Sequence, residues 1–274
     1  MHPICFTIGS LPVHWFGVML ALGFLAGLGN WALLARREGK SFTYCSDLLF
    51  WIMLSGIVGA RLAYVMSDFK NFVRNPLEIL QVYLGGLIYY GGFFAAGIAM
   101  FVFARMHRER ILSLLDFVVT SVPLGHFFGR IGCFLNGCCH GKEYTGSFAV
   151  TFPGFPNESP AWIAQYGARH IDRYALRSLP AHPVQLYEAA FNLFVFALVV
   201  LTYRRRKREG TTTAVYLLAY PLGRFALEFL RGDERMRWPA VGLSVAQILS
   251  IVLFVTGLVL LLLPGRRVES ARSE

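Results

Sequence analysis

Seven apolar runs succeed one another along the chain, each close to the roughly 20 residues that a helix needs to cross the hydrocarbon of a bilayer. They cover residues 13–35, 47–66, 82–104, 111–129, 184–203, 213–230 and 241–263. None alternates strictly between apolar and polar positions, which argues against a membrane β-barrel. With 55% hydrophobic and only 15% charged residues, the composition is that of a membrane protein. The pattern predicts an all-α membrane protein with seven transmembrane helices, built as one integral membrane domain over residues 1–274.

Charge orients this bundle. One set of alternate loops holds Arg36, Arg37, Lys40, Arg105, Arg108, Arg110, Arg204, Arg205, Arg206, Lys207, Arg208, Arg266, Arg267 and Arg272 in short dense clusters. The other set spreads Lys70, Arg74, Lys142, Arg169, Arg173, Arg177, Arg231, Arg235 and Arg237 over longer loops. The excess of cations in the dense set predicts that it is cytoplasmic, with the N-terminus outside and the C-terminus inside. The net charge of +10 is then a matter of loop distribution. No basic patch is interleaved with aromatics, so no nucleic-acid partner is expected. Residues 1–12 lack Lys and Arg and any cleavage pattern, so the first run reads as a retained span. Residues 137–182 are too long for a plain connection and are expected to form a small outer head between the fourth and fifth spans. A helix over 161–179 would align Arg169, Arg173 and Arg177 on one face, either solvated or laid on anionic headgroups.

The polar residues of the spans carry the functional signal. In the stretch HFFGRIGCFLNGCCHG, residues 126–141, His126, Arg130 and Cys133 share a helix face, and a guanidinium at the hydrocarbon edge demands compensation. The sixth span carries Tyr220, Arg224, Glu228 and Arg231, spaced so that Glu228 can lie between the two arginines. Two guanidiniums against one carboxylate leave positive charge over, which an anion such as phosphate would compensate. The fifth span opens on His182-Pro183, with Gln185 and Glu188 near the same interface. His182 is either a general base or an interfacial histidine. Gly85-Gly86 and Gly91-Gly92 bracket Tyr89 and Tyr90 and permit a broken helix, and Arg61 adds a cation in the second span. Asp116 sits near the start of the fourth span, where the helix dipole favours a carboxylate. Five cysteines, an odd number without repeating spacing, do not read as a disulfide framework. Cys133, Cys138, Cys139 and His140 lack the usual zinc spacing, and adjacent cysteines rarely bind one tetrahedral metal. No metal is expected, and a disulfide or free thiols fit better.

The segments GRIGCFLNGCCHG (129–141), HPVQLYEA (182–189) and GRFALEFLRGDE (223–234) resemble the prolipoprotein diacylglyceryl transferase family, and Val13-His14-Trp15, Gly59-Ala60-Arg61-Leu62 and Gly85-Gly86 extend the resemblance over nearly the whole chain. The resemblance implies a seven-helix enzyme of the bacterial inner membrane with a periplasmic head and no metal or nucleotide cofactor. Such an enzyme moves the diacylglyceryl group of phosphatidylglycerol to the lipobox cysteine of a prolipoprotein signal peptide and releases glycerol phosphate. On this chain the family's essential arginines are Arg130 and Arg224, with Asn136, Gly141, Tyr220, Glu228, Arg231 and His182 at matching motif positions. Tyr90 stands where many members have histidine. Phe16 replaces a tyrosine, Cys133 an asparagine and Cys138 an acidic residue.

The expected chemistry is displacement of a phosphate by a thiolate, with Arg130 and Arg224 on the phosphate and Arg61 or Arg231 in support. A free thiol is only slightly ionised at neutral pH, so a base is needed, and Tyr90, His182, His140 or a lipid phosphate oxygen are the choices. Tyr90 suits positioning better, because a phenol ionises near pH 10. Two other readings stay open. A non-catalytic paralogue would hold membrane lipid or lipoprotein, and a transporter would use its glycine-broken helices for passage.

Overall fold

In the computed structural model the described residues are 3–9, 11–81, 85–233, 236–238 and 242–267. Val82 and Val241, the expected starts of two spans, and Glu234, Arg235 and Arg272 lie outside them. The chain begins with a hairpin of β1 (Ile4–Ile8) and β2 (Leu11–His14), paired antiparallel. The hairpin takes up the start of the first apolar run, so the first helix begins at Trp15 and not at Val13. The α-helices that follow are α1 (Trp15–Ala35), α2 (Phe42–Ser67), α3 (Phe69–Arg74), α4 (Tyr89–Met106), α5 (Ile111–Val119), α6 (Val122–Asn136), α7 (Pro160–Gly167), α8 (Val184–Arg205), α9 (Thr211–Glu228) and α10 (Val245–Leu262).

Among the described residues six segments are long and apolar enough to cross a membrane, with α5 and α6 counted as one. Helix α9 falls outside this set. Its threonines at 211–213 and its Arg224 and Glu228 reduce its hydropathy. Large apolar side chains such as Leu25, Phe94 and Phe194 are exposed, as expected of helices whose outer faces meet lipid.

Two compact units divide the chain: Met1–Asn30 with Asp116–Glu274, and Trp31–Leu115. In the second, α2 lies directly on α4. A Cβ at Gly91 would meet the Gly59 carbonyl oxygen at 2.4 Å, and one at Gly92 would meet that of Gly56 at 2.7 Å. Small residues let the two backbones touch, as membrane helices require when packing must replace the hydrophobic effect. Gly91 and Gly92 therefore leave the helix unbroken. Gly85 and Gly86 precede α4 with positive φ, a conformation glycine adopts without strain.

In the first unit, α6, α8, α9 and α10 pack in succession. The expected fourth span is two helices broken at Thr120-Ser121, because Pro123 in the first turn of α6 has no N–H for a continuous ladder. Polar groups satisfy the break: Ser121 Oγ donates to Gly27 O at 2.9 Å, and Asn30 Nδ2 donates to Ser121 Oγ at 3.0 Å. Helix α6 then runs on to Asn136, seven residues beyond the expected end, and stops at left-handed Gly137. Asp116 is fully buried and accepts from the backbone N–H groups of Gly210 and Thr213, at 2.9 and 2.8 Å. It thus caps α9, not the start of its own helix as the sequence suggests.

The segment between α6 and α8 has a small core of Phe152, Ala161 and Trp162. Trp162 Nε1 donates to Ala175 O at 2.8 Å, and Leu179 N–H donates to Gln165 Oε1 at 2.7 Å. The helix expected over 161–179 ends at Gly167. Arg169 takes a left-handed φ of 60°, and Asp172 Oδ1 accepts from Tyr174 N–H at 2.9 Å, which favours a turn over helix. Arg169, Arg173 and Arg177 therefore share no helix face.

Candidate active site

The site forms where α6, α8 and α9 meet. Arg130 and His126 are one turn apart on α6, Glu188 and Asn192 one turn apart on α8, and Tyr220 and Arg224 four apart on α9. These six side chains line one cavity. Glu188, 4% exposed, is its centre: it pairs with Arg130 through Nε, with Arg224 Nη1 at 3.5 Å and with Arg231 Nη1 at 3.6 Å. Arg224 also pairs with Glu228. Arg231 forms a fork with Asp233, both bonds 2.8 Å. Its guanidinium is held above its ordinary value, against desolvation, by Asp233 and Cys139.

This arrangement corrects the charge argument. The carboxylate that gathers the arginines is Glu188 from another helix, and Arg231 is forked by Asp233. Among the described residues three guanidiniums face Glu188, Glu228 and Asp233, and these six groups balance by formal charge. Removing one member of such a buried network leaves its partners uncompensated, at a cost of about 3–5 kcal/mol. The cluster is nonetheless donor-rich. Among the described residues the ion pairs of Arg130 run through Nε and those of Arg224 through Nη1, and each guanidinium carries further N–H donors of the kind that suit a phosphate or carboxylate.

The loop after α6 is sewn to the other two helices by backbone. Gly141 N–H donates to His182 O at 3.1 Å, Lys142 N–H to Leu230 O at 2.8 Å and Gly232 N–H to His140 O at 3.0 Å. Gln185 Nε2 donates to Cys138 O at 2.8 Å. A Cβ at Gly141 would lie 2.5 Å from His182 O, and one at Gly232 would lie 2.3 Å from Gly141 O. Only glycine fits at these crossings. Asn136, the last residue of α6, contacts the Cys138 side chain, and a second recess is lined by Lys142, Glu228, Arg231, Asp233 and Arg237.

The candidate bases fare differently. His182 does not line the cavity: its ring stacks on Tyr144 at 3.9 Å and 12°. His140 is buried, with Nδ1 3.0 Å from Gly141 O. His126 is inside the cavity, its ring 5.0 Å from that of Tyr220, which stacks in turn on Tyr216 at 5.4 Å. Its position four residues before Arg130 was the sequence signal. Glu188 stood out only as a carboxylate near the same interface, and Asn192 carried no signal, since the packing of α8 is what brings both here.

Arg61 and Tyr90 belong to the second unit. Arg61, 7% exposed, donates to Ile79 O at 2.9 Å, Gly85 O at 2.8 Å, Gly86 O at 3.1 Å and also to Glu78 O. It orders the loop before α4. Tyr90, in the first turn of α4, is 52% exposed and meets Tyr89 edge-on at 5.8 Å.

The cysteines are all free, so no disulfide joins them. Cys133, Cys138 and Cys139 nevertheless converge, their Sγ atoms within 4.8 Å of one another. Against the hydrogen bond with Cys133, which pulls it down, the hydrogen bond with Cys139 and burial set the Cys138 thiol above its ordinary value. Cys139 is held below it by hydrogen bonds with Cys133 and Cys138 and by Arg231.

Comparison with known proteins agrees with the motifs. The family model described as prolipoprotein diacylglyceryl transferase matches residues 3–263. The phosphatidylglycerol–prolipoprotein diacylglyceryl transferase of Xanthomonas oryzae pv. oryzae (strain PXO99A) is 37% identical over 281 residues, 97% of this chain and 92% of its own. The enzymes of the same name from Xanthomonas campestris pv. campestris (strain B100) and Xanthomonas axonopodis pv. citri (strain 306) are 37% and 36% identical, with the same coverage.

Proposed function

Because the chain belongs to the prolipoprotein diacylglyceryl transferase family, we propose that its arginine cluster holds the phosphate of phosphatidylglycerol while a lipobox cysteine attacks the adjoining glycerol carbon. The enzyme is a transferase of lipoprotein biosynthesis. A carbon–sulfur bond forms, the carbon–oxygen bond to phosphate breaks, and glycerol phosphate leaves. The prolipoprotein keeps the diacylglyceryl group as a thioether.

The observation that carries this reading is the convergence of Arg130, Arg224 and Arg231 on Glu188. Glu188 and Glu228 hold the guanidiniums in place before substrate arrives, so that little reorganisation is needed when charge builds on the leaving phosphate. Arg130, the most exposed of the three at 22%, makes first contact with the lipid. Arg224 completes the clamp. Tyr220 and Asn136 bound the lipid site, and Gly141 lets the loop pass close to it. His126 takes the thiol proton, supported by its place beside Arg130 in the cavity. His182 braces the head against α8 through Tyr144, Tyr90 acts in positioning, and Arg61 orders its own loop.

The enzyme is a multi-pass protein of the bacterial inner membrane. Counting α9 as the sixth span gives seven, with the N-terminus periplasmic and the C-terminus cytoplasmic. The dense cations of 204–208 support this side for the loop between α8 and α9. The 137–182 segment is then a periplasmic head inserted in a single membrane domain. The test is transfer itself: purified protein, labelled phosphatidylglycerol and a lipobox peptide should give a thioether-linked product. Lipid binding without product would assign the chain to a non-catalytic role.

A further inference from the structure

We propose that Cys133, Cys138 and Cys139 form a binding site for a thiophilic divalent cation of the zinc and cadmium class. The sequence spoke against this, since neighbouring cysteines of regular backbone point apart. The structure removes the objection. Cys139 has a φ of 61°, and this left-handed turn brings its sulfur to the same side as that of Cys138. Gly137, also left-handed, reverses the chain so that both meet Cys133 in the last turn of α6. The three Sγ atoms lie within 4.8 Å of one another. Three thiolates about one tetrahedral cation at 2.3 Å sit about 3.8 Å apart, so a small contraction completes the site.

The loop is already rigid where it must be. Cys138 N–H donates to Cys133 O at 3.1 Å, and Gln185 fixes Cys138 O from α8. Arg231 touches Cys139 and sets a positive charge beside the site. Uptake of one cation by three thiols releases three protons and leaves one net negative charge, which Arg231 and neighbouring Arg130 offset. The fourth position is open to water or a further thiol. This site stands on the cysteine geometry alone and does not depend on the transferase reading.

The test is titration of the full chain in detergent, reduced and anaerobic, with cadmium(II). A thiolate-to-cadmium ultraviolet band should saturate at one equivalent, be displaced by zinc(II), and weaken as pH falls, because protons compete for the sulfurs. Cys133→Ser, Cys138→Ser and Cys139→Ser should each weaken binding at least about tenfold, since each removes one of three ligands. The double variant Cys5→Ser/Cys45→Ser should bind as before. Lack of a saturable band in protein whose five cysteines all titrate as thiols would overturn the proposal. So would a band that survives in Cys133→Ser/Cys139→Ser. Because the wild-type titration needs no substitution, a variant that fails to fold does not blunt the test.

Discussion

Glu188 is buried, and it pairs with three guanidiniums from three stretches of chain. Glu188→Gln keeps the shape and removes the charge, so the arginines repel one another and lose their common anchor. Turnover should fall on the order of 100-fold, and the thermal midpoint in detergent should drop, because a buried pair is broken from one side. The base assignment divides at the same scale. His126→Ala should lower the rate of thioether formation at neutral pH and recover part of it at alkaline pH, where the substrate thiol ionises unaided. His182→Phe, which can keep the ring stack on Tyr144, should retain most activity. The reverse ranking in a pH–rate profile would move the base to His182. Arg130 and Arg224 were legible in the sequence because an arginine in an apolar helix is costly in itself. Glu188 was visible only as a residue near an interface, since its three partners are set by helix packing. Arg61 looked like a further phosphate ligand and serves its loop carbonyls, a difference that backbone geometry alone can reveal.

Among the elements, the loop that joins α6 to the head depends on close backbone crossings. Gly141→Ala and Gly232→Ala each push a Cβ into backbone oxygen and should cost about 1–3 kcal/mol of overpacking. They should also displace Arg231, so loss of stability and loss of turnover are expected together. In the other unit, Gly91→Ala meets the Gly59 carbonyl and should lower the thermal midpoint by prising α2 from α4. Most helix positions followed from apolar length. The departures have local causes: Pro123 divides the fourth span, Gly137 with its positive φ ends it late, and the Asp172 turn stops the helix expected in the head. The hairpin at 4–14 escaped because strands of five and four residues are too short to show a pattern of their own before the long apolar run.

For the whole molecule, the arrangement of cations predicts the topology. Single cysteines placed at Ser147 in the head and at Arg108 between α4 and α5, in a cysteine-free background, should react oppositely with a membrane-impermeant thiol reagent added to spheroplasts. Ser147→Cys should label and Arg108→Cys should not, and labelling of both or the opposite pattern would overturn the orientation. The proposed orientation would set the arginine cluster in the outer half of its helices, on the side from which phosphatidylglycerol of that leaflet would reach it. The role proposed for this cluster is to hold the lipid phosphate through the reaction. It is tested most directly by the turnover of Arg130→Ala and Arg224→Ala with labelled phosphatidylglycerol and a lipobox peptide. Removing one preorganised donor costs roughly 100- to 1,000-fold, and an arginine supplies several, so each variant should fall by at least that much. Near-normal turnover in both would contradict the account.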